Sequence, residues 1–255
     1  MVTKMEKGSV SIEIKKAIAI VEFGHPASNS LPSDLLNRLT NAFLDLSTNK
    51  DINVIILRSK GNKTFCAGAS FNELIAIENL ENGIAFFSGF ANVINKMRAC
   101  NKLIIGQIQG KAVGGGVGLI AACDYALATE EASVKLSEIS IGIGPFVIEP
   151  AISRKIGVAA TTTMTLEATD WKTAYWAKEK GLYAKVFKTK DELIKETEYF
   201  AEKLASYNPE ALTALKNIFW KNTKDWPKLL AERAKISGEL VLSEFTKKAL
   251  AEFKK

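Results

Sequence analysis

The stretch Lys111-Ala112-Val113-Gly114-Gly115-Gly116-Val117-Gly118-Leu119, directly after the apolar run Leu103 to Ile108, is the part of this chain best suited to chemistry. Three consecutive glycines remove every side chain where an apparent strand passes into an apparent helix. A substrate can then lie against bare backbone and reach N–H groups that have no partner within the helix. The partial positive charge of a helix N-terminus adds to those donors, so such a site suits a developing oxyanion. The same run also reads as a glycine-rich turn that packs a helix closely on a strand. Nucleotide readings fail on spacing. A phosphate-cradling loop needs Gly-Lys-Ser/Thr after the glycines, where Gly118-Leu119-Ile120 stands. A G-x-G-x-x-G fingerprint begun at Gly114 or Gly116 meets Leu119 or Ala121 at its last glycine.

A second small-residue turn, Lys63-Thr64-Phe65-Cys66-Ala67-Gly68-Ala69-Ser70-Phe71, follows the strand-like Val54-Ile55-Ile56-Leu57 and leads into the amphipathic Phe71-Asn72-Glu73-Leu74. If the two turns converge, each presents one N–H to the same oxygen, the arrangement that stabilises an enolate in acyl-thioester chemistry. No spacing rule proves that convergence, and an ordinary strand–turn–helix junction is the plainer reading.

Taken in order, six segments resemble the crotonase superfamily, the enoyl-CoA hydratases and isomerases. They are His25-Pro26 with Asn29-Ser30-Leu31, then Phe65-Cys66-Ala67-Gly68-Ala69, then Gly114-Gly115-Gly116. Cys123-Asp124 follows, then Leu136-Ser137-Glu138 with Ile141-Gly142, and last Ala177 with Gly181-Leu182. The resemblance runs from about Val10 to the C-terminus. It implies that the N–H groups of Ala69 and Gly115 form an oxyanion hole for a thioester carbonyl, with Glu138 as the proton-transfer residue. It implies that Ala67, Gly68, Ala69 and Gly114 give coenzyme A a backbone to run along. Phe245 and Lys248 resemble a C-terminal aromatic and basic pair that reaches a neighbouring subunit's adenosine phosphate. Coenzyme A arrives as part of the substrate, so no separate cofactor is expected.

Departures from the family pattern carry information. Members with two catalytic glutamates place one just after the triple glycine, where this chain has Gly118. The second position is Glu138, so the chain resembles a one-glutamate member. Gly142-Ile143-Gly144-Pro145-Phe146 is similar to the loop of single-glutamate isomerases and of hydratases acting on branched methylglutaconyl-type thioesters. Ser70 stands where many members carry Asp. Glu149, in an apolar setting, is a candidate second carboxylate, and a helix-start glutamate on the plainer reading.

One glutamate beside an enolate-stabilising pocket suffices to move a proton from the α- to the γ-carbon, which is double-bond isomerisation. Hydration asks more, because one group must deprotonate water and return that proton to the α-carbon. The resemblance around Glu138 and Gly142 to Pro145 tips the expectation narrowly to hydration of a short or branched enoyl-CoA. Δ3,Δ2-enoyl-CoA isomerase is the alternative, and a silent acyl-CoA- or RNA-binding relative is a third. The apolar neighbours Leu136, Ile139 and Ile141 predict partial burial of Glu138 and a raised pKa.

Elements that position these residues follow from periodicity. Val10 to Ile14 and Ile18 to Phe23 read as paired strands, and Pro32 opens a helix to about Asn49 with Leu35, Leu36, Leu39, Phe43 and Leu46 on one face. Strands and helices alternate through about residue 190, which predicts α/β; the resemblance refines this to a spiral of ββα turns. From 191 to 255 the segments Leu193 to Tyr207, Pro209 to Lys221 and Trp226 to Lys254 read as helices, with Phe253 among the packing residues. The resemblance makes 191–255 a helical region that builds a homotrimer or a dimer of trimers, while a cap on the chain's own core is the plainer reading. Variable loops such as Leu74 to Gly89 are expected to line the acyl pocket.

At 255 residues and 47% hydrophobic, the chain can bury a substantial core. A net charge of +6 suits an anionic ligand such as coenzyme A. No dense basic block interleaved with aromatics appears, so nucleic acid is not the expected partner. His25 is the single histidine and reads as a turn residue, and the three cysteines have neither metal-ligand nor disulfide spacing. No metal is therefore expected. Met1 to Gly8 lacks a signal-type apolar core and no run approaches ~18 apolar residues, so a cytoplasmic protein is expected.

Overall fold

The computed structural model describes residues 8–252. Strands β1 (Ser9–Lys15) and β2 (Ile18–Gly24) form an antiparallel hairpin turned at Lys16, whose φ is 54°. Helix α1 (Ser33–Thr48) follows, starting just after Pro32 and burying Leu35, Leu36, Leu39, Ala42, Phe43 and Leu46. Three similar turns come next. The first comprises β3 (Val54–Ser59), β4 (Thr64–Cys66), α2 (Phe71–Ile75) and α3 (Leu80–Ala99). The second is β5 (Leu103–Ile108), β6 (Lys111–Val113) and α4 (Gly115–Ala122). The third is β7 (Tyr125–Thr129), β8 (Val134–Lys135), a 3₁₀ turn (Glu138–Ile141) and α5 (Glu149–Leu166). Helix α6 (Ala174–Glu179) and β9 (Lys185–Phe187) complete the core.

Each turn sends its first strand to one sheet and its second to another. The larger sheet has the order β1-β2-β3-β5-β7-β9, parallel from β2 onward, and the smaller one is β4-β6-β8, also parallel. This is the α/β spiral of ββα turns that the resemblance implied. Parallel pairing requires crossovers, and here the second strand and helix of each turn supply them.

Strand alternation divides the core. Ile18, Ile20, Val54, Ile56, Ile105 and Leu127 face Leu193 and Ala201 of α7 (Lys190–Ala205). One residue out of phase, Ala19, Val21, Phe23, Ile55, Leu57 and Ile104 enter the main core with the α1 leucines and Phe43. Both faces are buried, which is why these strands are nearly uninterrupted apolar runs.

Beyond β9 the described residues continue as helices: α7, α8 (Pro209–Phe219), α9 (Trp226–Leu240) and α10 (Glu244–Glu252). The single helix expected over Trp226 to Lys254 is two. The chain turns at residues 241–243, and Ser243 Oγ then accepts from Thr246 N at 3.3 Å to restart the helix. Phe253 and Lys254 lie outside the described residues. Helix α9 packs on α3 of the same chain, and a Cβ on Gly83 would come within 2.9 Å of Gly238 Cα, so the two backbones nearly touch. Helix α3 begins earlier than its apolar pattern suggests because Asn79 Oδ1 caps it through Asn82 N at 2.9 Å. Most of the expected loop from Leu74 to Gly89 is therefore helical.

A buried polar knot joins α4, α5 and α8. Asp124 lies 3.0 Å from Lys216 Nζ, with side-chain exposures of only 5% and 1%. Its Oδ2 also accepts from Ile104 N at 2.8 Å, and its Oδ1 from Trp220 Nε1 at 2.6 Å. Lys216 Nζ donates to Lys102 O at 2.7 Å, and Lys155 Nζ caps the end of α4 through Cys123 O at 2.8 Å and Asp124 O at 2.9 Å.

A second clamp holds the first turn. Asn29, buried at φ 56°, donates from Nδ2 to Lys60 O at 2.7 Å and Thr64 O at 2.8 Å, and its Oδ1 accepts from His25 N at 3.0 Å. The neighbouring Ser28 O and Leu31 N bond to Ala67 N at 3.1 Å and Gly68 O at 2.8 Å. The 25–31 turn thus fixes the position of residues 67–69. Asn29→Ala should lower the stability measured by urea unfolding by about 2–4 kcal/mol, since it removes several bonds and orphans buried carbonyls. His25 is a turn residue as expected, its Nδ1 accepting from Ala27 N at 3.2 Å. Cys66, Cys100 and Cys123 are all buried and free. Among the described residues, no helix is long and apolar enough to cross a membrane.

Candidate active site

Gly114 ends β6 by donating from its N to Lys135 O at 2.9 Å, then swings to φ 52°, ψ −118°, a backbone open in practice only to glycine. A side chain there is also excluded sterically, because a Cβ would lie 2.6 Å from Glu138 Oε1. Helix α4 starts at the next residue, and among the described residues the Gly115 N–H has no acceptor. The second turn arrives beside it: a Cβ on Gly68, at φ 90°, would lie 3.7 Å from Gly115 N. The Ala69 N–H is likewise without an acceptor among the described residues, whereas the Ala67 N–H is taken by Ser28 O. The two turns therefore converge, which spacing alone did not establish. Ser70 has its own task, capping α2 by accepting from Glu73 N at 3.3 Å.

Glu138 leaves the end of β8 on the 3₁₀ turn and points at this junction. The residue is half-buried, but its Oε2 is shut off from solvent and has no hydrogen-bond partner. Burial pushes its pKa up to about 7 from an ordinary 4.5. The expected apolar surroundings hold only in part. Leu136 is buried and Ile141 lines the cavity, but Ile139 is 44% exposed on the outer side of the turn.

A cavity of about 220 Å³ opens between these groups. Ala67, Gly68, Ala69, Gly114, Gly115 and Glu138 all line it. The opposite wall is apolar, with Phe86, Phe87 and Phe90 from α3, and Phe146 and Ile148 from the segment before α5. The expected lining stretch Leu74 to Gly89 supplies Leu74, Phe86 and Phe87, while Phe90 and Ile148 lie outside it; Phe86 and Phe90 share a helix face by their spacing of four. Ser237 reaches the cavity from α9 and carries no local sequence signal.

The position expected to distinguish one-glutamate from two-glutamate members is filled. A Cβ on Gly118 would meet Ile148 Cγ2 at 2.5 Å and Cβ at 2.7 Å, so no side chain fits there without displacing Ile148. Glu149 is not among the lining residues. It starts α5, and its Oε1 accepts from Ser153 Oγ at 2.6 Å. Phe245 and Lys248 are exposed on α10 and do not line the cavity of their own chain. Phe245 instead covers Gly142, where a Cβ would lie 2.5 Å from its ring, so α10 braces the turn that carries Glu138. Cys66 packs under Gly116, and burial pushes its thiol up to about 12, which removes it as a nucleophile.

Comparisons with known proteins agree with the α/β spiral. The chain belongs to the enoyl-CoA hydratase/isomerase family, whose sequence profile it matches over residues 13–254. It is 28% identical over 252 residues to a short-chain-enoyl-CoA hydratase of Clostridium acetobutylicum, covering 98% of this chain and 95% of the relative. A peroxisomal Δ(3,5)-Δ(2,4)-dienoyl-CoA isomerase of Arabidopsis thaliana is 30% identical over 212 residues, 76% of this chain and 73% of that protein. Among solved structures, the enoyl-CoA hydratase of Bacillus halodurans superposes with a TM-score of 0.88 at 22% identity, covering 95% of this chain and 99% of that one. That likeness confirms the fold.

Proposed function

We propose that this chain is an enoyl-CoA hydratase acting on a short or branched acyl thioester, with Glu138 as its single acid/base. The observation that carries the reading is one cavity lined by Glu138, whose Oε2 is buried without a partner, and by Ala69 and Gly115, whose N–H groups have no acceptor among the described residues. The thioester carbonyl would accept from both N–H groups and become an enolate oxygen in the transition state. Glu138 would take a proton from water as the oxygen attacks the β-carbon, then return that proton to the α-carbon. Coenzyme A enters with the substrate, and no separate cofactor takes part in this scheme. Phe245 and Lys248, exposed on α10, would serve a neighbouring subunit in a trimer or dimer of trimers.

Ile148 against Gly118 favours a second reading, Δ3,Δ2-enoyl-CoA isomerisation, because it leaves one carboxylate and isomerisation needs only one. The purified protein incubated with crotonyl-CoA and 3-hexenoyl-CoA, followed by mass-resolved chromatography, separates the two. A water-mass gain on the crotonyl thioester supports hydration. A displaced 3-hexenoyl peak of unchanged mass supports isomerisation in its place. Failure of both reactions would overturn the short-chain reading and leave a branched substrate or a silent binder.

A further inference from the structure

Among the described residues, Glu138 is the only ionisable side chain lining the cavity, and Ser137 and Ser237 are the only others with a polar group. The Ser237 hydroxyl already donates to Arg233 O at 3.2 Å. All the rest is glycine, alanine, proline and apolar surface, including five phenylalanines. Among the described residues the chamber thus offers hydrocarbon contact over most of its wall and no cation on it.

From this lining we infer that the cavity takes an uncharged hydrocarbon acyl group and excludes acyl groups that end in a second carboxylate. The inference rests on the acyl-thioester reading above. A terminal carboxylate would enter a space where Glu138 Oε2 already has no partner, and the two like charges would share one poorly solvated chamber. A buried charge without a counter-ion is strongly disfavoured. The same contrast separates this chain from the methylglutaconyl-type hydratases that its Gly142 to Phe146 loop resembles, because their acyl group carries a second carboxylate. The phenylalanine-rich wall, with Phe86 and Phe87 edge to face at 5.1 Å, suits linear, branched or aryl hydrocarbon instead.

Calorimetric titration with hexanoyl-CoA and glutaryl-CoA tests this without turnover, since both thioesters are saturated. At pH 8 hexanoyl-CoA should bind on the order of 10²-fold more tightly. A gap below tenfold would overturn the inference. Leu74→Lys places a cation on the half-buried rim from the short helix α2, away from the core. It should narrow the gap at least tenfold with glutaryl-CoA binding more tightly than to the unsubstituted protein, and an unchanged gap, or one narrowed only by weaker hexanoyl-CoA binding, would overturn charge as the cause. Binding of neither thioester would overturn the acyl-thioester reading itself, which distinguishes its failure from that of the charge argument.

Discussion

Glu138→Gln should abolish turnover and at the same time make the protein more stable at pH 8. The loss in kcat/KM is expected on the order of 10³-fold, the usual contribution of a positioned acid/base. The gain in stability follows from the same burial. Glu138 binds its proton more tightly when folded, with a pKa of about 7 against 4.5 for the free side chain. Below about pH 4.5 both states are protonated, and the side chain exerts no pH-dependent effect. Between 4.5 and 7 the unfolded chain releases the proton and the folded one keeps it, so stability falls as pH rises. Above 7 the penalty is complete, and a shift of that size corresponds to about 3 kcal/mol. Gln has no charge to desolvate, so urea unfolding at pH 8 should show a gain of that order, and at pH 4.5 nearly none. The wild-type kcat/KM should rise with pH through an apparent pKa near 7 as the free carboxylate forms. A variant that loses activity without gaining stability at high pH would place Glu138 in water rather than in a dry pocket.

Lys216→Met should cost about 3–5 kcal/mol, among the largest single-site losses open to this chain. It leaves Asp124 buried at 5% exposure with its counter-charge removed, and it strips Lys102 O of its donor. Ile104 N and Trp220 Nε1 still hold the carboxylate in place, with Lys155 and Arg154 as the nearby cations that remain, but its direct ion pair is gone. Pairing the change with Asp124→Asn should recover at least half of the loss, because an amide keeps the shape without the charge. Urea unfolding midpoints of the two single variants and the double variant check this. A single-variant loss under 1 kcal/mol would mean that the pair behaves like an exposed one.

The parts legible in sequence are those whose chemistry is carried by backbone. Gly114 and Gly68 announce themselves because a site built on bare N–H groups needs residues without side chains, and that need is met within a few consecutive positions. Strands such as Val54 to Leu57 are equally plain, since burial on both faces leaves little but aliphatic residues. The role of Glu138 is reachable only through the ordered resemblance, because its apolar neighbours Leu136, Ile139 and Ile141 signal burial but not that it meets the Gly114 backbone. Ile148 and Phe90 escaped because their roles depend on which glycine they meet across the fold. The break at residues 241–243 was hidden by helix-favouring residues on both sides, where Ser243 acts as a cap rather than a helix residue.

The near-contact of Gly83 with Gly238 has a bearing on how the chamber is completed. Both small-residue turns precede Glu138 in the chain, and Ser237, from the opposite wall, follows Glu138 about a hundred residues later. Every group proposed for catalysis lies before Trp226, whereas Ser237 lies after it. Docking of α9 along α3 adds Ser237 to the wall, so the chamber is completed by a contact between two segments more than a hundred residues apart rather than by the local folding of either turn.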